Sequence, residues 1–224
     1  MSGVTIAESA LDLIHDGDIV GLGSGRAATA FVEALGKKVQ AGLRVRGVPT
    51  SQGTAAVASR AGIPLLGLDE NVVIDITVDG ADEVDPQLDL IKGYGGALVR
   101  EKIVASASRR LVILVGTEKL VERLGSRGVL PVEVVQFALG YCRRRLVAMG
   151  LTPVLRATNG QPFVSDNGNF ILDCGVAPIA SPAVLDTQIL AIPGVVGTGL
   201  FVGMAHTVLI QNGDRVEKRQ RAAV

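Results

Sequence analysis

The sequence has no tryptophan and only 3% aromatic residues, and its charges cancel, since 22 lysines and arginines stand against 22 aspartates and glutamates. A protein that binds nucleic acid through the phosphate backbone needs a basic excess. One that binds single strands also uses aromatic side chains as platforms for base stacking. Neither feature is present, so we expect no nucleic-acid partner.

Cysteines and long apolar runs are also scarce. Cys142 and Cys174 show neither metal-site nor redox spacing, so we expect two buried, reduced thiols in a cytoplasmic protein. The longest apolar runs, such as LVILVG at 111–116, have the length of a strand and are too short to cross a bilayer, so we expect no membrane partner. The first residues include Glu8 and Asp12 rather than a cationic stretch, and we expect no signal peptide.

Hydrophobic residues are abundant at 48% of 224 residues, which is enough to bury a sizeable core. Over about the first 130 residues, strand-like pieces alternate with helical pieces of about 10–14 residues. This order favours right-handed βαβ units on a mostly parallel sheet flanked by helices. One of the predicted helices, at 26–39, contains Gly36, where we expect a break.

The pattern changes after the glycine-rich segment that precedes Pro131. An amphipathic helix is predicted at 137–150, followed by short strands, and DNGN is a strong hairpin signal because Asn-Gly tolerates positive φ. We therefore predict an α/β fold with a large domain made of residues 1–130 plus 202–224. A smaller α+β domain, 131–201, is inserted before a last strand, HTVLIQ, that returns to the large sheet. The final ten residues, RVEKRQRAAV, are interpreted as a solvated basic tail.

A glycine-rich turn follows the first predicted strand, in IVGLGSGRAATAF. Such a turn presents backbone N–H groups and a helix N-terminus to an anion, which favours a phosphate-binding loop. Gly23, Gly25 and Ala28 also match the dinucleotide pattern G-x-G-x-x-A. That pattern requires an acid at the end of the second strand, and VRGVPTS has none there. A tight turn without a ligand is the remaining alternative.

Three further polar clusters follow predicted strands: TSQGT at 50–54, DGAD at 79–82 and GTEK at 116–119. Ligands of parallel sheets bind outside the carboxyl ends of the strands. The four clusters are therefore expected to lie at one sheet edge and to form one site.

The DGAD cluster places Asp79 and Asp82 on either side of Gly80-Ala81, just beyond a strand, where both carboxylates can face a crevice. An acidic turn that caps the next segment is one alternative, and it suits Glu83 and Asp85 well. A metal site is another, since carboxylates are hard ligands. No histidine lies nearby, however, and Lys92 is a poor neighbour for a cation, so we expect no metal.

The glycine loop KGYGG leads into a helix predicted from about Ala97. On a helical wheel, Glu101 falls among small and apolar residues, namely Ala97, Leu98, Val104, Ala105 and Ser108. A surface glutamate would face solvent or pair with a lysine four residues later, but position 105 is alanine. We expect burial to raise the pKa of Glu101 and to make it a usable base near neutral pH. The alternative is a tolerated, partly exposed glutamate.

The chain resembles ribose-5-phosphate isomerase, type A, over essentially its whole length. The segments that carry the resemblance are, in order, GLGSG, TSQGT, DGADE, KGYGGALVREKIVA, LPVEV, DNGNFILD and IPGVVGTGLF. The most specific part is DGADE followed by KGxGGAL and REK. The resemblance implies an α/β domain with a smaller α+β lid domain, a homodimer, no metal or organic cofactor, and interconversion of ribose 5-phosphate and ribulose 5-phosphate.

The resemblance also implies residue roles. Glu101 would be the proton-transfer base, and Asp79, Asp82 and Lys92 would complete the catalytic set. The implied substrate-binding residues are Ser24, Gly25, Arg26, Ala27, Asp79, Gly80, Ala81, Asp82, Lys92, Gly93, Tyr94, Gly95 and Lys119. A non-catalytic sugar-phosphate sensor of related fold is the alternative, and it would have no use for Glu101. An acyl-CoA transferase of related fold would need its glutamate in a different loop.

The sequence departs from the family's pattern in two ways. Hydroxyl residues commonly follow G-[ST]-G, but here Arg26 and Ala27 do. Many members carry a phosphate-binding lysine in the first helix, whereas this sequence has no lysine or arginine before Arg26. We therefore predict that Arg26 binds the phosphate in place of that lysine. The alternative is that Arg26 points outward and neutralises Asp16 or Asp18.

Overall fold

A computed structural model describes residues 5–69 and 71–222. Its α-helices are α1 Ile6–Leu11, α2 Arg26–Gln40, α3 Gln52–Arg60, α4 Leu98–Ser106, α5 Leu139–Ala148 and α6 Pro182–Leu190. The strands are β1 Ile19–Leu22, β2 Arg46–Pro49, β3 Ile76–Gly80, β4 Glu83–Val84, β5 Leu90–Ile91, β6 Leu111–Gly116, β7 Val129–Val134, β8 Thr152–Leu155, β9 Ala157–Thr158, β10 Gln161–Pro162, β11 Phe170–Gly175, β12 Val195–Thr198, β13 Leu200–Phe201, β14 Thr207–Asn212 and β15 Arg215–Gln220. Short 3₁₀ turns occupy Thr117–Lys119 and Gln136–Ala138.

The chain divides into two compact units. The first unit consists of residues 1–81, 100–119 and 204–224, and the second of residues 82–99 and 120–203. The predicted smaller domain, 131–201, lies within the second unit, which additionally contains 82–99, 120–130 and 202–203. The division into folding domains stays a prediction.

The first unit is built on a six-stranded sheet in the order β15-β14-β6-β3-β1-β2. Neighbouring strands run parallel from β2 to β14, and only β14 and β15 pair antiparallel. The sequence LVILVG explains the position of β6 in the middle of this sheet, because a strand covered on both faces reads as a continuous apolar run. The α/β class and the return of the last predicted strand to the large sheet are confirmed.

The parallel order also decides where the polar clusters lie. The strands β6, β3, β1 and β2 are consecutive neighbours in the sheet and run in the same direction. The residues that follow them therefore meet at one edge, as the sequence predicts.

The core of the first unit lies between this sheet and the helices α1 and α2. Phe31, Val32 and Leu35 on α2 are fully buried and pack with Leu22 of β1. The predicted break at Gly36 is wrong, because α2 continues through it to Gln40. A Cβ added at Gly36 would lie 2.5 Å from the Cβ of Ala61. The glycine thus permits a close approach of the chain after α3 and does not end the helix.

The interpretation of the last ten residues as a solvated tail is also wrong for 215–220, which form β15. Asn212 pairs with Arg215 across a two-residue turn in which Gly213 has φ +57. A two-residue turn that contains a glycine at positive φ is typical of a β-hairpin. β15 is an edge strand that carries four charged residues, Arg215, Glu217, Lys218 and Arg219. At the opposite edge, Gly47 of β2 bridges to Leu65 in parallel fashion.

The second unit contains an antiparallel sheet in the order β12-β7-β11-β8, a three-stranded sheet in the order β13-β5-β4 and the ribbon β9–β10. The DNGN hairpin is confirmed, since Ser165 N–H donates to the Asn169 carbonyl and Gly168 has φ +77. The fully buried Glu133 of β7 holds this turn by accepting hydrogen bonds from Ser165 Oγ at 2.8 Å and Asn169 Nδ2 at 2.9 Å.

Both cysteines are buried free thiols of the second unit. Desolvation raises the pKa of Cys142, and it raises the pKa of Cys174 to about 12, with the Asp173 charge adding to the latter. The expected burial of both thiols is confirmed, and a thiol with a raised pKa is a poor nucleophile. No helix within residues 5–69 and 71–222 is both long and apolar enough to span a membrane.

Gly36→Ala is expected to destabilise the protein although alanine is the better helix former. The added methyl would overlap Ala61, and overpacking of this kind costs about 1–3 kcal/mol. Gly53→Ala in α3 is the matched control, because its nearest atom outside the helix backbone, Ser51 Oγ, is 3.8 Å away. The control is expected to be neutral or to stabilise by up to about 1 kcal/mol. Urea unfolding of both variants measures the difference, and equal stabilities would contradict the prediction.

Candidate active site

In the first unit, Gly23 and Asp79 approach each other closely at the sheet edge that carries the polar clusters. A Cβ added at Gly23 would lie 2.5 Å from the Cα of Asp79, so no larger residue fits there without a shift. Asp79 is 1% exposed, and its Oδ1 accepts the N–H groups of Ser24 at 3.0 Å and Gly80 at 2.7 Å. These bonds compensate for the burial of a carboxylate and fix its orientation.

Four hydroxyls gather beside this carboxylate. Ser24 Oγ lies 2.8 Å from Thr50 Oγ1, 2.9 Å from Ser51 Oγ and 3.0 Å from Thr54 Oγ1. Thr50 and Thr54 are anchored in turn, because their hydroxyls donate to the carbonyls of Leu22 and Gly23 at 3.0 Å each. Ser51 is also the N-cap of α3. This hydroxyl cluster orients Ser24 and offers several hydrogen-bonding groups to a polar ligand.

The turn after Ser24 begins a long helix. Gly25 is the N-cap of α2 with φ +90, and it provides no side-chain hydrogen bond to the first turn. The exposed N–H groups of such a turn, together with the helix dipole, attract an anion. Arg26 is the exposed first residue of α2, followed by the half-buried Ala27.

The acids that could compete for Arg26 have other partners. Asp16 is paired with Arg44, and Asp18 accepts a hydrogen bond from the His15 N–H at 2.8 Å. The structure therefore does not favour the alternative that Arg26 neutralises Asp16 or Asp18. Contact of Arg26 with a phosphate stays a prediction.

Glu101 lies in the first turn of α4 and is 5% exposed. Two residues beyond the helix, Ser108 bridges Ile74, which lies just before β3, and its Oγ lies 2.5 Å from Thr77 Oγ1. The helix α4 lies between the parallel strands β3 and β6 in the chain. A crossover helix runs antiparallel to the strands that it connects, so the first turn of α4, with Glu101, is expected at the carboxyl edge that carries Asp79.

The other predicted residues of the first unit also belong to this edge. Gly80 is the last residue of β3, and Ala81 follows it. Gly80 pairs with Leu114 of β6, and the strand β6 leads into the turn that ends at the half-buried Lys119.

The second unit carries Asp82, Lys92 and the glycine loop, which we define as residues 93–96. Lys92 is 3% exposed, its N–H donates to the Gly199 carbonyl at 2.9 Å, and its Nζ lies 5.6 Å from the centre of the Phe201 ring. Asp82 is tied to the glycine loop, because its Oδ2 accepts the Tyr94 N–H at 3.0 Å.

The glycine loop has a conformation that few other residues could adopt. Gly93 has φ +106 and Gly96 has φ +85, and the Gly96 N–H donates to the Gly93 carbonyl at 3.0 Å. Gly95 is exposed, and Tyr94 donates its hydroxyl to the Val129 carbonyl at 3.3 Å. Desolvation, followed by the charges of Glu83 and Asp82, raises the pKa of Tyr94 to about 12. The phenol is therefore protonated at neutral pH.

The remaining acids of this region act as structural caps. Glu83 is fully buried and accepts the N–H groups of Gly125 at 2.7 Å and Arg127 at 2.9 Å. Asp85 accepts the N–H groups of Gln87 and Asp89. The capping alternative thus holds for these two acids, whereas Asp79 in the first unit and Asp82 in the second each bind backbone N–H groups of a predicted site segment.

Sequence reasoning left two sets of residues without a role. It placed the TSQGT segment at the site, but the contacts of Thr50 and Thr54 become visible only with the pairing of β1 and β2. Arg156, which binds the glycine loop, stands between two short strands and has no motif of its own. Within the two described stretches, no group of three or more His, Cys, Asp or Glu side chains could hold a metal ion.

Comparison with known proteins identifies the family of the chain. The family model "Ribose 5-phosphate isomerase A (phosphoriboisomerase A)" matches residues 46–215. Ribose-5-phosphate isomerase A of Roseiflexus sp. (strain RS-1) is 51% identical over 213 residues, which are 94% of this chain and 91% of the relative.

Two solved structures are similar over 96% of both chains. The ribose 5-phosphate isomerase A of Methanocaldococcus jannaschii has 38% identity and a TM-score of 0.92. A D-ribose-5-phosphate isomerase in complex with phospho-erythronic acid has 36% identity and a TM-score of 0.92. The likeness extends over nearly the whole fold and not over a single motif, and this chain belongs to the ribose 5-phosphate isomerase A family.

Proposed function

We propose that this protein interconverts D-ribose 5-phosphate and D-ribulose 5-phosphate through an enediolate, with Glu101 as the base that moves the proton. The observation that carries the assignment is a glutamate that is only 5% exposed, in the first turn of a helix that follows the glycine loop. A sugar-phosphate sensor would not require a buried carboxylate at this position. The match to an isomerase family supports the catalytic alternative.

The reaction moves one proton between neighbouring carbons. In the direction from aldose to ketose, the Glu101 carboxylate removes the proton from C2, and electron density moves to the O1 oxygen. The resulting enediolate passes the proton of its O2 hydroxyl to O1. It then receives at C1 the proton that Glu101 carries, while the C2–O2 bond becomes the carbonyl. A single carboxylate that reaches both carbons is sufficient, and proximity provides much of the rate enhancement.

The oxygens of the substrate require a cation that stabilises negative charge and carboxylates that bind hydroxyl groups. Lys92 is suited to stabilise the negative charge that develops on the enediolate, because a cation in a buried position acts strongly on such charge. Asp79 and Asp82 are suited to hold the hydroxyls of the open-chain sugar and to assist ring opening. Gly80, Ala81, Gly93, Tyr94 and Gly95 bring backbone groups into hydrogen-bonding reach of the sugar.

The phosphate is assigned to the turn between β1 and α2. Ser24, Gly25 and Ala27 offer N–H groups and a hydroxyl at a helix N-terminus that lacks a side-chain cap. Arg26 and Lys119 supply positive charge. The complex of a related isomerase with phospho-erythronic acid, an acyclic phosphorylated acid, supports a phosphate subsite in this fold.

The same proposal includes a homodimer in the cytoplasm. In the second unit, Phe137 is 100% exposed, and Val135 and Tyr141 nearby in sequence are 42% and 40% exposed. Apolar side chains concentrated in one exposed stretch mark association surfaces. A two-fold interface would bring the same patch of both copies together, so no second kind of surface is needed. The two buried free thiols fit a reducing compartment.

Glu101→Gln is expected to lower kcat by about 10²–10⁴-fold and to change KM little, because the amide keeps the shape but cannot accept the proton. A coupled assay of ribulose 5-phosphate formation from ribose 5-phosphate, run in EDTA, measures both constants. Retention of more than about a tenth of the wild-type kcat would contradict the role of Glu101. Absence of turnover by the wild-type protein would contradict the proposed function itself.

Arg26→Ala is expected to raise KM for ribose 5-phosphate about 10–100-fold, since hydrogen bonds to charged groups contribute about 1.5–3 kcal/mol. The exposed Arg60 of α3 offers a matched control, and Arg60→Ala should leave KM unchanged. If both variants have the wild-type KM, Arg26 does not contact the phosphate.

Phe137→Ser is expected to shift the protein from two copies toward one, because it removes the most exposed apolar side chain of the proposed interface. Light scattering after size-exclusion chromatography gives the mass directly. Val184→Ser is the control, since Val184 is 56% exposed on α6. A wild-type protein with the mass of one chain would refute the homodimer.

A further inference from the structure

We propose that Arg156 and Asp173 form a clamp that sets the conformation of the glycine loop and, through it, positions Asp82 and Lys92. The inference rests on the proposed function, since it concerns how that site is held in shape. All residues of the clamp and of the loop belong to the second unit. Arg156 is a positioning residue in this proposal and does not touch the substrate.

The loop needs such a restraint because of its composition. Three of the four residues 93–96 are glycines, which lose more conformational entropy on ordering than any other residue. Two of them also adopt positive φ. A segment of this kind stays in one conformation only if neighbouring groups bind its peptide units.

Arg156 provides the binding groups. Its Nη1 donates to the carbonyls of Gly93 at 2.8 Å and Tyr94 at 3.2 Å. Its Nε and Nη2 donate to the two carboxylate oxygens of Asp173 at 2.9 and 2.5 Å. The guanidinium thus binds Asp173, which serves as its anchor, and the glycine loop at the same time. The Arg156 side chain is only 13% exposed.

The anchor is held by the sheet. Asp173 lies on β11 opposite Val154 of β8, so Arg156 is its diagonal neighbour two residues further along. The Arg156 N–H donates to the Ile171 carbonyl at 2.9 Å, which continues the strand pairing. The Arg156 guanidinium carbon also lies 5.9 Å from the centre of the Phe163 ring. A Cβ added at Gly96 would lie 2.7 Å from Cε1 of this ring, so the loop rests against it.

The consequence for the site follows from the planarity of the peptide bond. In a trans peptide, the C=O and the next N–H point in opposite directions. In the Gly93–Tyr94 peptide, the carbonyl is bound by Arg156, and the N–H is bound by Asp82 Oδ2 at 3.0 Å. Arg156 therefore holds the Gly93–Tyr94 peptide plane from one side, and Asp82 binds the same plane from the other side. A fixed peptide plane in turn fixes the position of the Asp82 carboxylate. The next residue back along the chain is Lys92.

Only arginine can make this arrangement. A guanidinium has five donors in a rigid plane and can serve a carboxylate and two carbonyls together. A lysine ammonium keeps the charge but has three donors at a single point. Substitution of Arg156 by lysine therefore separates the effect of the positive charge from that of the planar arrangement of donors.

The test compares Arg156→Lys, Arg156→Met and Asp173→Asn with the control Arg143→Met, which changes an exposed arginine of α5 in the same unit. We expect the two Arg156 variants to lower kcat about 10–100-fold, with KM for ribose 5-phosphate changed less than about threefold, because misplaced catalytic groups slow the reaction more than they weaken binding. Asp173→Asn should have a smaller effect in the same direction. The control should match the wild type.

Hydrogen–deuterium exchange provides a readout that needs no activity. The amides of Tyr94 and Gly96 should exchange faster in both Arg156 variants, while the amides of β7 and β11 keep their wild-type protection. This measurement tests the clamp even if the wild-type protein proves not to be an isomerase. The activity of the wild type tests the proposed function separately.

Three results would overturn the inference. A kcat within threefold of the wild type in both Arg156 variants would show that the loop needs no clamp. A raised KM with an unchanged kcat would make Arg156 a substrate-binding residue. A loss of protection throughout the second unit in all three variants would make the pair part of the general stability of that unit and not a device for the loop.

Discussion

The geometry of the first unit depends on the absence of a side chain at Gly23. Without that space, the turn after β1 could not reach the end of β3, and the Ser24 N–H could not bind Asp79. Burial of a carboxylate is costly unless donors surround it. Asp79 has two backbone donors, and one of them, the Ser24 N–H, is supplied only because the chain passes this close. The hydroxyl cluster then fills the remaining volume beside the same turn. One missing methyl group thus determines both the orientation of an acid and the position of the proposed phosphate loop.

Glycines solve two different problems in this chain. At Gly23 and Gly36, the glycine admits a neighbour that a Cβ would exclude, and its own φ is not positive. In the loop 93–96, the glycines permit positive φ, and the resulting freedom must be removed by other residues. The first kind of glycine is rigid because of what it touches. The second kind is held in addition by hydrogen bonds from elsewhere in the chain, as Arg156 and Asp82 provide.

The order of strands and helices in the first unit could be predicted from the sequence because apolar runs and the helices between them are local patterns. The edge that carries the polar clusters follows from that order. The role of Gly36 could not be predicted, because its partner Ala61 lies 25 residues later and the contact depends on how α2 and the chain after α3 pack. β15 was missed because a highly charged edge strand has the composition of a solvated tail, and Gly213 at its turn was the overlooked signal. The pair Arg156–Asp173 requires the register of β8 and β11, which no local pattern specifies.

The two edges of the six-stranded sheet also limit how copies of this protein can assemble. One edge is the charged strand β15, and the other is β2, whose Gly47 is already bonded to the segment around Leu65. Charged and covered edges oppose the addition of a further strand. A sheet that continues from one molecule into the next, as in domain-swapped or fibrillar aggregates, is therefore disfavoured. Copies that associate through this sheet must therefore be held by side chains and not by a shared strand ladder.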